Sequence, residues 1–320
     1  MSLYHLTASG SHEGTLANLY HLTSQKTLEG QLAAFLLTCK VGGLQPSTIA
    51  YYRYQIGRFV NFCRELEIEE PSGLSAAAVR LFINHLQQSN GPQSIHDYYR
   101  AIKRFCNWMM EEEVLAKSPM PPHPPRVPHK VIQPFTPQHI ADLLTVCPPA
   151  RFTGARNRAL LLVFLDTGLR LAEMAGIKLI DVDVDREIIK VMGKGARERI
   201  VRIGKKAQLA LFRYVALRTD NLPCLWVSEG RTPLTSWGIQ AVFRVLGKRA
   251  GIENVRCSPH TCRHTFGTSA LRNKADIREV QTALGHSTLK MTLRYVATVS
   301  SEDAVRSHRK WSPVDNMGLR

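Results

Sequence analysis

Long apolar runs are missing from this 320-residue chain, and the longest uncharged candidate spans only residues 159–165. A membrane helix needs roughly 18 such residues, so no membrane partner is expected. A basic-then-apolar opening of the secretory kind is also missing, which points to a cytoplasmic protein. Paired cysteines are absent. Cys39, Cys63, Cys106, Cys147, Cys224, Cys257 and Cys262 are odd in number, scattered and without a CxxC pair, which excludes a disulfide scaffold. No ligand cluster has zinc spacing. His260 and His264 stand four residues apart, but without the glutamate of a zinc-protease helix, so no metal is expected. Internal repeats are absent as well.

Acidic residues are scarce, 26 against 42 lysines and arginines, for a formal net charge of +16. The imbalance is local. Residues 1–130 hold 12 basic and 10 acidic side chains, leaving 30 against 16 for residues 131–320. A field of that sign attracts polyanions, and nucleic acid is the commonest one in the cytoplasm. Hydrophobic residues make up 44%, enough for ordinary cores, and the length suits two domains.

The first 22 residues carry no sustained periodicity, so residues 1–23 read as a flexible extension. Four amphipathic helices are expected across residues 24–116. Ser24, Ser47, Ser75 and Ser94 stand as their caps, and Asn90-Gly91-Pro92 closes the third. Such helices with short connections make a small bundle. Residues 117–134 contain seven prolines and form an extended linker. At about 3 Å per residue it can span several tens of ångströms.

Residues 135–300 read as a second, mainly helical block with one small antiparallel sheet. Thr136-Pro137 opens it, and a buried helix over 159–166 ends at Thr167-Gly168. Strand-like runs cover 178–184, 187–192 and 199–203, with Gly193-Lys194-Gly195 as the turn between the last two. Further helices are capped by Pro259, Asp276 and Thr288. A capping box over 300–303 precedes a tail, 301–320, with Val305 and Trp311 as apolar anchors.

Breaking a phosphodiester without a metal requires cations on the non-bridging oxygens, an in-line nucleophile and an acid for the leaving oxygen. Arginine suits the first task, because its planar fork holds two oxygens and stays charged. The second block holds such residues in order: Arg170 and Glu173 in TGLRLAE, His260, Arg263 and His264 in PHTCRHTF, His286 in LGHS, and Tyr295 in LRY.

In order, spacing and flanking sequence these motifs resemble the tyrosine recombinase (phage integrase) family, Xer-like in layout. Arg170 and Glu173 match its TGLRxxE element, His260, Arg263 and His264 its HxxRH element, His286 its LGH element, and Tyr295 its nucleophile. Lys194 matches the family's hairpin lysine. The likeness covers about residues 24–300. It implies a helical core-binding (SAM-like) domain followed by a catalytic domain, and no cofactor. It further implies a double-stranded DNA recombination site as partner and a homo-tetramer working on two such sites. The activity implied is cutting and rejoining DNA through a 3′-phosphotyrosyl intermediate, for integration, excision or resolution. The first 22 residues do not resemble a separate arm-binding domain, which favours a simple, short-site recombinase.

Under that resemblance Arg170, Lys194, His260, Arg263, His286 and Tyr295 are the catalytic set. Glu173 and His264 support it, Glu173 by accepting hydrogen bonds from a neighbouring active-site side chain. Arg100, Lys103 and Arg104 in the first block and Lys190, Arg197 and Arg199 in the second are candidates to touch DNA backbone. Docking of the tail on its own domain or on a neighbouring protomer stays open. Two alternative functions are a monomeric type IB topoisomerase-like enzyme that relaxes DNA, and a DNA-binding protein without catalysis.

Overall fold

The computed structural model describes residues 26–128, 133–193, 198–286 and 288–296, together with His308 and Ser312. It is mainly α-helical with one small antiparallel sheet, and the chain divides into two compact units, Met1–His129 and Lys130–Arg320. All seven cysteines are free thiols. No described helix is long and apolar enough to cross a membrane.

The first unit contains α1 (Leu28–Val41), α2 (Pro46–Glu65), α3 (Ala76–Gln87) and α4 (Pro92–Glu111). Their apolar faces meet around Phe35, Phe59, Phe82, Ile102 and Phe105, all fully buried. The caps differ in part from the sequence expectation. Ser24 lies outside the described residues, and Thr27 caps α1 by accepting from the Gly30 N–H at 3.2 Å. Ser47 and Ser94 sit inside their helices, because Pro46 and Pro92 occupy the first helical positions and start the turns there. Ser75 does cap α3, accepting from the Ala78 N–H.

The second unit is built on α6 (Phe152–Thr167), which follows α5 (Pro137–Thr145) and is covered by neighbours along most of its length. A short α7 (Leu171–Ala175) leads into the sheet of β1 (Val182–Asp183), β2 (Ile188–Met192) and β3 (Glu198–Arg202), in that order and antiparallel. The first strand-like run shrinks to two residues. Asp181 accepts the Lys178 N–H at 2.8 Å and winds residues 179–181 into a 3-10 turn instead. Register pairs Ile189 with Val201 and Val191 with Arg199. The inward face therefore carries Ile189, Val191, Arg199 and Val201.

Five helices complete the unit: α8 (Lys205–Ala216), α9 (Ser236–Arg249), α10 (Pro259–Arg272), α11 (Ile277–Leu284) and α12 (Leu289–Val296). α10 packs on α6, and α12 on both α10 and α11. Thr265 on α10 accepts the Phe135 N–H at 2.9 Å and pins the start of the unit to that helix. The expected capping box at 300–303, and Val305 and Trp311 of the tail, lie outside the described residues.

Candidate active site

Local chemistry places the first arginine. α6 ends at Gly168, whose φ of +59° is open to glycine and strained for other residues. Arg170 then stands at the N-cap of α7, and Glu173, three residues on, accepts its backbone N–H at 2.8 Å. The second Glu173 oxygen accepts from Arg170 Nη1, also at 2.8 Å. The TGLRxxE spacing is thus a capping box whose carboxylate also holds the arginine fork.

α10 supplies the next set. Ser258 caps it by accepting the Thr261 N–H, and Pro259 occupies the first helical position. Residues at i, i+3 and i+4 share a face, so His260, Arg263 and His264 follow one another over a single turn. His260 is exposed, whereas Arg263 and His264 are buried.

The convergence point is the C-terminal end of α11, where Gly285 takes φ +62°. Three successive carbonyls there accept from three arginines. Arg199 Nη1 donates to Ala283, Arg263 Nη2 to Leu284 at 2.8 Å, and Arg170 Nη2 to Gly285 at 2.6 Å. Arg263 Nη1 also donates to Gly168 at 2.6 Å, tying the two left-handed glycine turns together. The negative end of a helix dipole suits cations, and among the described residues one carboxylate pairs with them. Glu173, with a side chain only 3% exposed, pairs with Arg170 and with Arg199, each at 2.8 Å. Arg170, Arg199 and Arg263 against Glu173 leave two positive charges in surplus.

Burial by itself raises the Glu173 carboxyl. The Arg170 N–H and the Arg199 fork outweigh it and hold the group below the usual carboxylate range. Burial pulls the Arg263 guanidinium below its usual value, with Tyr295 opposing. It still remains a cation at neutral pH.

Tyr295, on α12, belongs to the same pocket and is 6% exposed. Its ring lies 5.0 Å from the His264 ring and stacks on His286 at 5.9 Å, two degrees from parallel. A Cβ at Gly267 would meet that ring at 3.1 Å, so the small residue on α10 lets the phenol close in. His286 Nδ1 is 2.8 Å from the hydroxyl of the fully buried Thr292.

The structure thus gathers Arg170, Glu173, Arg263, His264, His286 and Tyr295, with His260 exposed on the α10 turn. Lys194 and Arg197 lie outside the described residues. Lys190 is exposed on the outer face of β2, and Arg100, Lys103 and Arg104 are exposed on α4. Arg199, the remaining candidate for DNA backbone, sits half-buried on the inward face of β3. Its side chain is 18% exposed and already engaged with Glu173 and Ala283, because the strand register turns it inward. Thr292 was not singled out by motif. Its three-residue spacing from Tyr295 on one helix face is the signal that could have found it. Among the described residues no group of three His, Cys, Asp or Glu side chains could hold a metal ion.

The Phage integrase family matches residues 133–302, and the Phage integrase, N-terminal SAM-like domain matches residues 32–116. Tyrosine recombinase XerC of Anoxybacillus flavithermus is 30% identical over 78% of this chain and 86% of its own length. Tyrosine recombinase XerA of Thermococcus onnurineus is 31% identical over 79% and 85%. The Tn1549 transposon integrase, solved in complex with transposon right end DNA, shares the fold with a TM-score of 0.72 at 17% identity, covering 89% of this chain and 99% of that one. The chain belongs to the phage integrase family and is a tyrosine-type site-specific DNA recombinase.

Proposed function

We propose that the chain exchanges DNA strands by two successive transesterifications in this pocket, with Tyr295 as nucleophile. The phenolic oxygen attacks the scissile phosphorus, a 3′-phosphotyrosyl bond forms, and the bond to the 5′ oxygen breaks. Arg170 and Arg263 hold the non-bridging oxygens. Each terminal guanidinium amine carries two hydrogens, so one bond to a carbonyl or carboxylate leaves a second N–H for phosphate. His260 and His286 donate further hydrogen bonds, and Lys194 protonates the leaving 5′ oxygen. A 5′-hydroxyl of a partner strand then attacks the phosphotyrosine and restores the backbone. One diester is exchanged for another, so bond energy is conserved and no nucleotide hydrolysis enters the scheme.

The observation that carries this reading is the pair of surplus positive charges beside a buried phenol. A phosphodiester brings one negative charge and its pentacoordinate transition state gains a second, matching the surplus. On this reading residues 24–116 form a core DNA-binding domain, with Arg100, Lys103 and Arg104 on backbone phosphate. Residues 135–300 form the catalytic domain and supply most phosphate contacts, Lys190 and Arg197 among them. Residues 117–134 link the two domains, beyond an N-terminal extension, 1–23, and a tail, 301–320. The protein works in the cytoplasm as a homo-tetramer on two DNA sites, for integration, excision or resolution.

Tyr295→Phe is the decisive variant. On a nicked suicide substrate it loses the covalent adduct while DNA affinity stays within about twofold, since one hydroxyl is removed and no phosphate contact. An adduct formed by Tyr295→Phe overturns the assignment. Light scattering of the chain bound to two sites reports the stoichiometry, and a mass of fewer than four protomers rejects the tetramer.

A further inference from the structure

We infer that Arg199 is a positioning residue for the anion clamp, a role that rests on the reading of Arg170 and Arg263 as phosphate ligands. β-strand alternation turns Arg199 inward opposite Val191, the face on which Ile189 and Val201 enter the core. A cation at such a site carries a desolvation penalty that an apolar residue of similar size avoids. Its bonds show what it does there. Nη2 meets Glu173 Oε2 at 2.8 Å, and Nη1 donates to the Ala283 carbonyl on the last turn of α11.

Those two contacts join the parts of the clamp. Glu173 presents two oxygens to three donors, and Arg199 shares Oε2 with the Arg170 backbone N–H. Without Arg199, the carboxylate would face Arg170 as its one guanidinium partner and neutralise the cation meant for phosphate. With Arg199 in place, the Glu173 charge is divided and Arg170 keeps its field. At Ala283 the same guanidinium holds the turn whose next two carbonyls orient Arg263 and Arg170 and whose next residue is His286. Arg199 also lies on β3, five residues after Lys194 in sequence, so its side chain ties this strand to the clamp.

The test uses the full-length chain in single-turnover cleavage of nicked DNA. One substrate carries an ordinary scissile phosphate and the other a methylphosphonate, which has no negative charge to clamp. Arg199→Met should slow cleavage of the phosphate about tenfold to a hundredfold, as expected for sub-ångström to ångström misplacement of a charged group. Its DNA Kd should stay within about twofold, and its defect on the methylphosphonate should shrink to a few-fold. Arg199→Lys, which keeps the charge but cannot bridge both partners, should fall between Met and wild type, and it carries the test if the Met variant fails to fold. The Glu173→Gln, Arg199→Met pair should be no slower than the worse single variant, because both act on one fork.

Equal defects on the two substrates would mean general damage and overturn the role. A DNA affinity that falls in step with the cleavage rate would make Arg199 a direct phosphate contact and also overturn it. Wild-type cleavage by Arg199→Met does the same. These outcomes are read with Tyr295 intact, so they stand apart from failure of the nucleophile assignment, which Tyr295→Phe reports by itself.

Discussion

Alanine in place of Gly285 measures how little displacement the arginine fork tolerates. At φ +62° an L side chain stands in the left-handed region, which costs roughly 1–2 kcal/mol. The added Cβ would also lie 3.2 Å from Arg199 Nε, 3.3 Å from its Cζ and 3.4 Å from Arg170 Nη1. Neither guanidinium can simply swing away. Arg199 is held by Glu173 and Ala283, and Arg170 by Glu173 and by the carbonyl of Gly285 itself. The crowding therefore passes into the clamp as a shift of a few tenths of an ångström. Since about 1 Å of misplacement costs on the order of a hundredfold, cleavage should slow by about threefold to tenfold.

Gly251 provides the control. Its φ is +65°, and a Cβ there would meet nothing within 4 Å, so Gly251→Ala carries the backbone penalty without the crowding. For a domain of this size each kcal/mol lowers Tm by roughly 2–4 °C, so both variants should melt about 2–8 °C below wild type. Only Gly285→Ala should also slow adduct formation on a suicide substrate. Equal cleavage rates for the two variants would refute the idea that this carbonyl turn sets the arginine geometry.

Two further outcomes follow from the same contacts. Thr292→Val keeps the shape of the side chain but deletes the partner of His286 Nδ1. Loss of a buried hydrogen bond costs about 1–3 kcal/mol, and cleavage should slow while DNA affinity holds; an unchanged cleavage rate would leave His286 held by something else. Glu173 has its folded pKa held below the ordinary carboxyl value of 4.5. Its stabilising effect is therefore complete above that value and is lost as pH falls through the folded pKa. The stability advantage of wild type over Glu173→Gln, read by denaturant unfolding, should shrink as the pH is lowered from about 6 to about 3. An advantage that does not change with pH contradicts the pairing.

Much of the architecture is legible from spacing alone, because caps and helical faces are local. Thr136-Pro137, Ser75, Pro259 and Asp276 each mark a helix start where the backbone needs one. Where reading failed, a neighbouring residue competed for the same role. Pro46 and Pro92 took the helix starts from Ser47 and Ser94, and the Asp181 side chain turned an expected strand into a 3-10 turn. For Arg199, charge alone suggests a DNA contact, whereas alternation with Val201 and Ile203 places the same residue on the inward face.

The sequence by itself determined the order of the motifs, the spacing that lets Glu173 cap α7 and face Arg170, and the surplus of positive charge in the second block. These are properties of neighbours a few residues apart, which a helix or strand period sets directly. Only the tertiary structure decided which carbonyls the arginines meet. Arg170 reaches Gly285 across 115 residues, Arg263 reaches Gly168 across 95 and Arg199 reaches Ala283 across 84. No local period specifies such pairs. They exist because α10 packs on α6, α11 packs on α10 and the strand register turns Arg199 inward, which brings one helix end within reach of three cations.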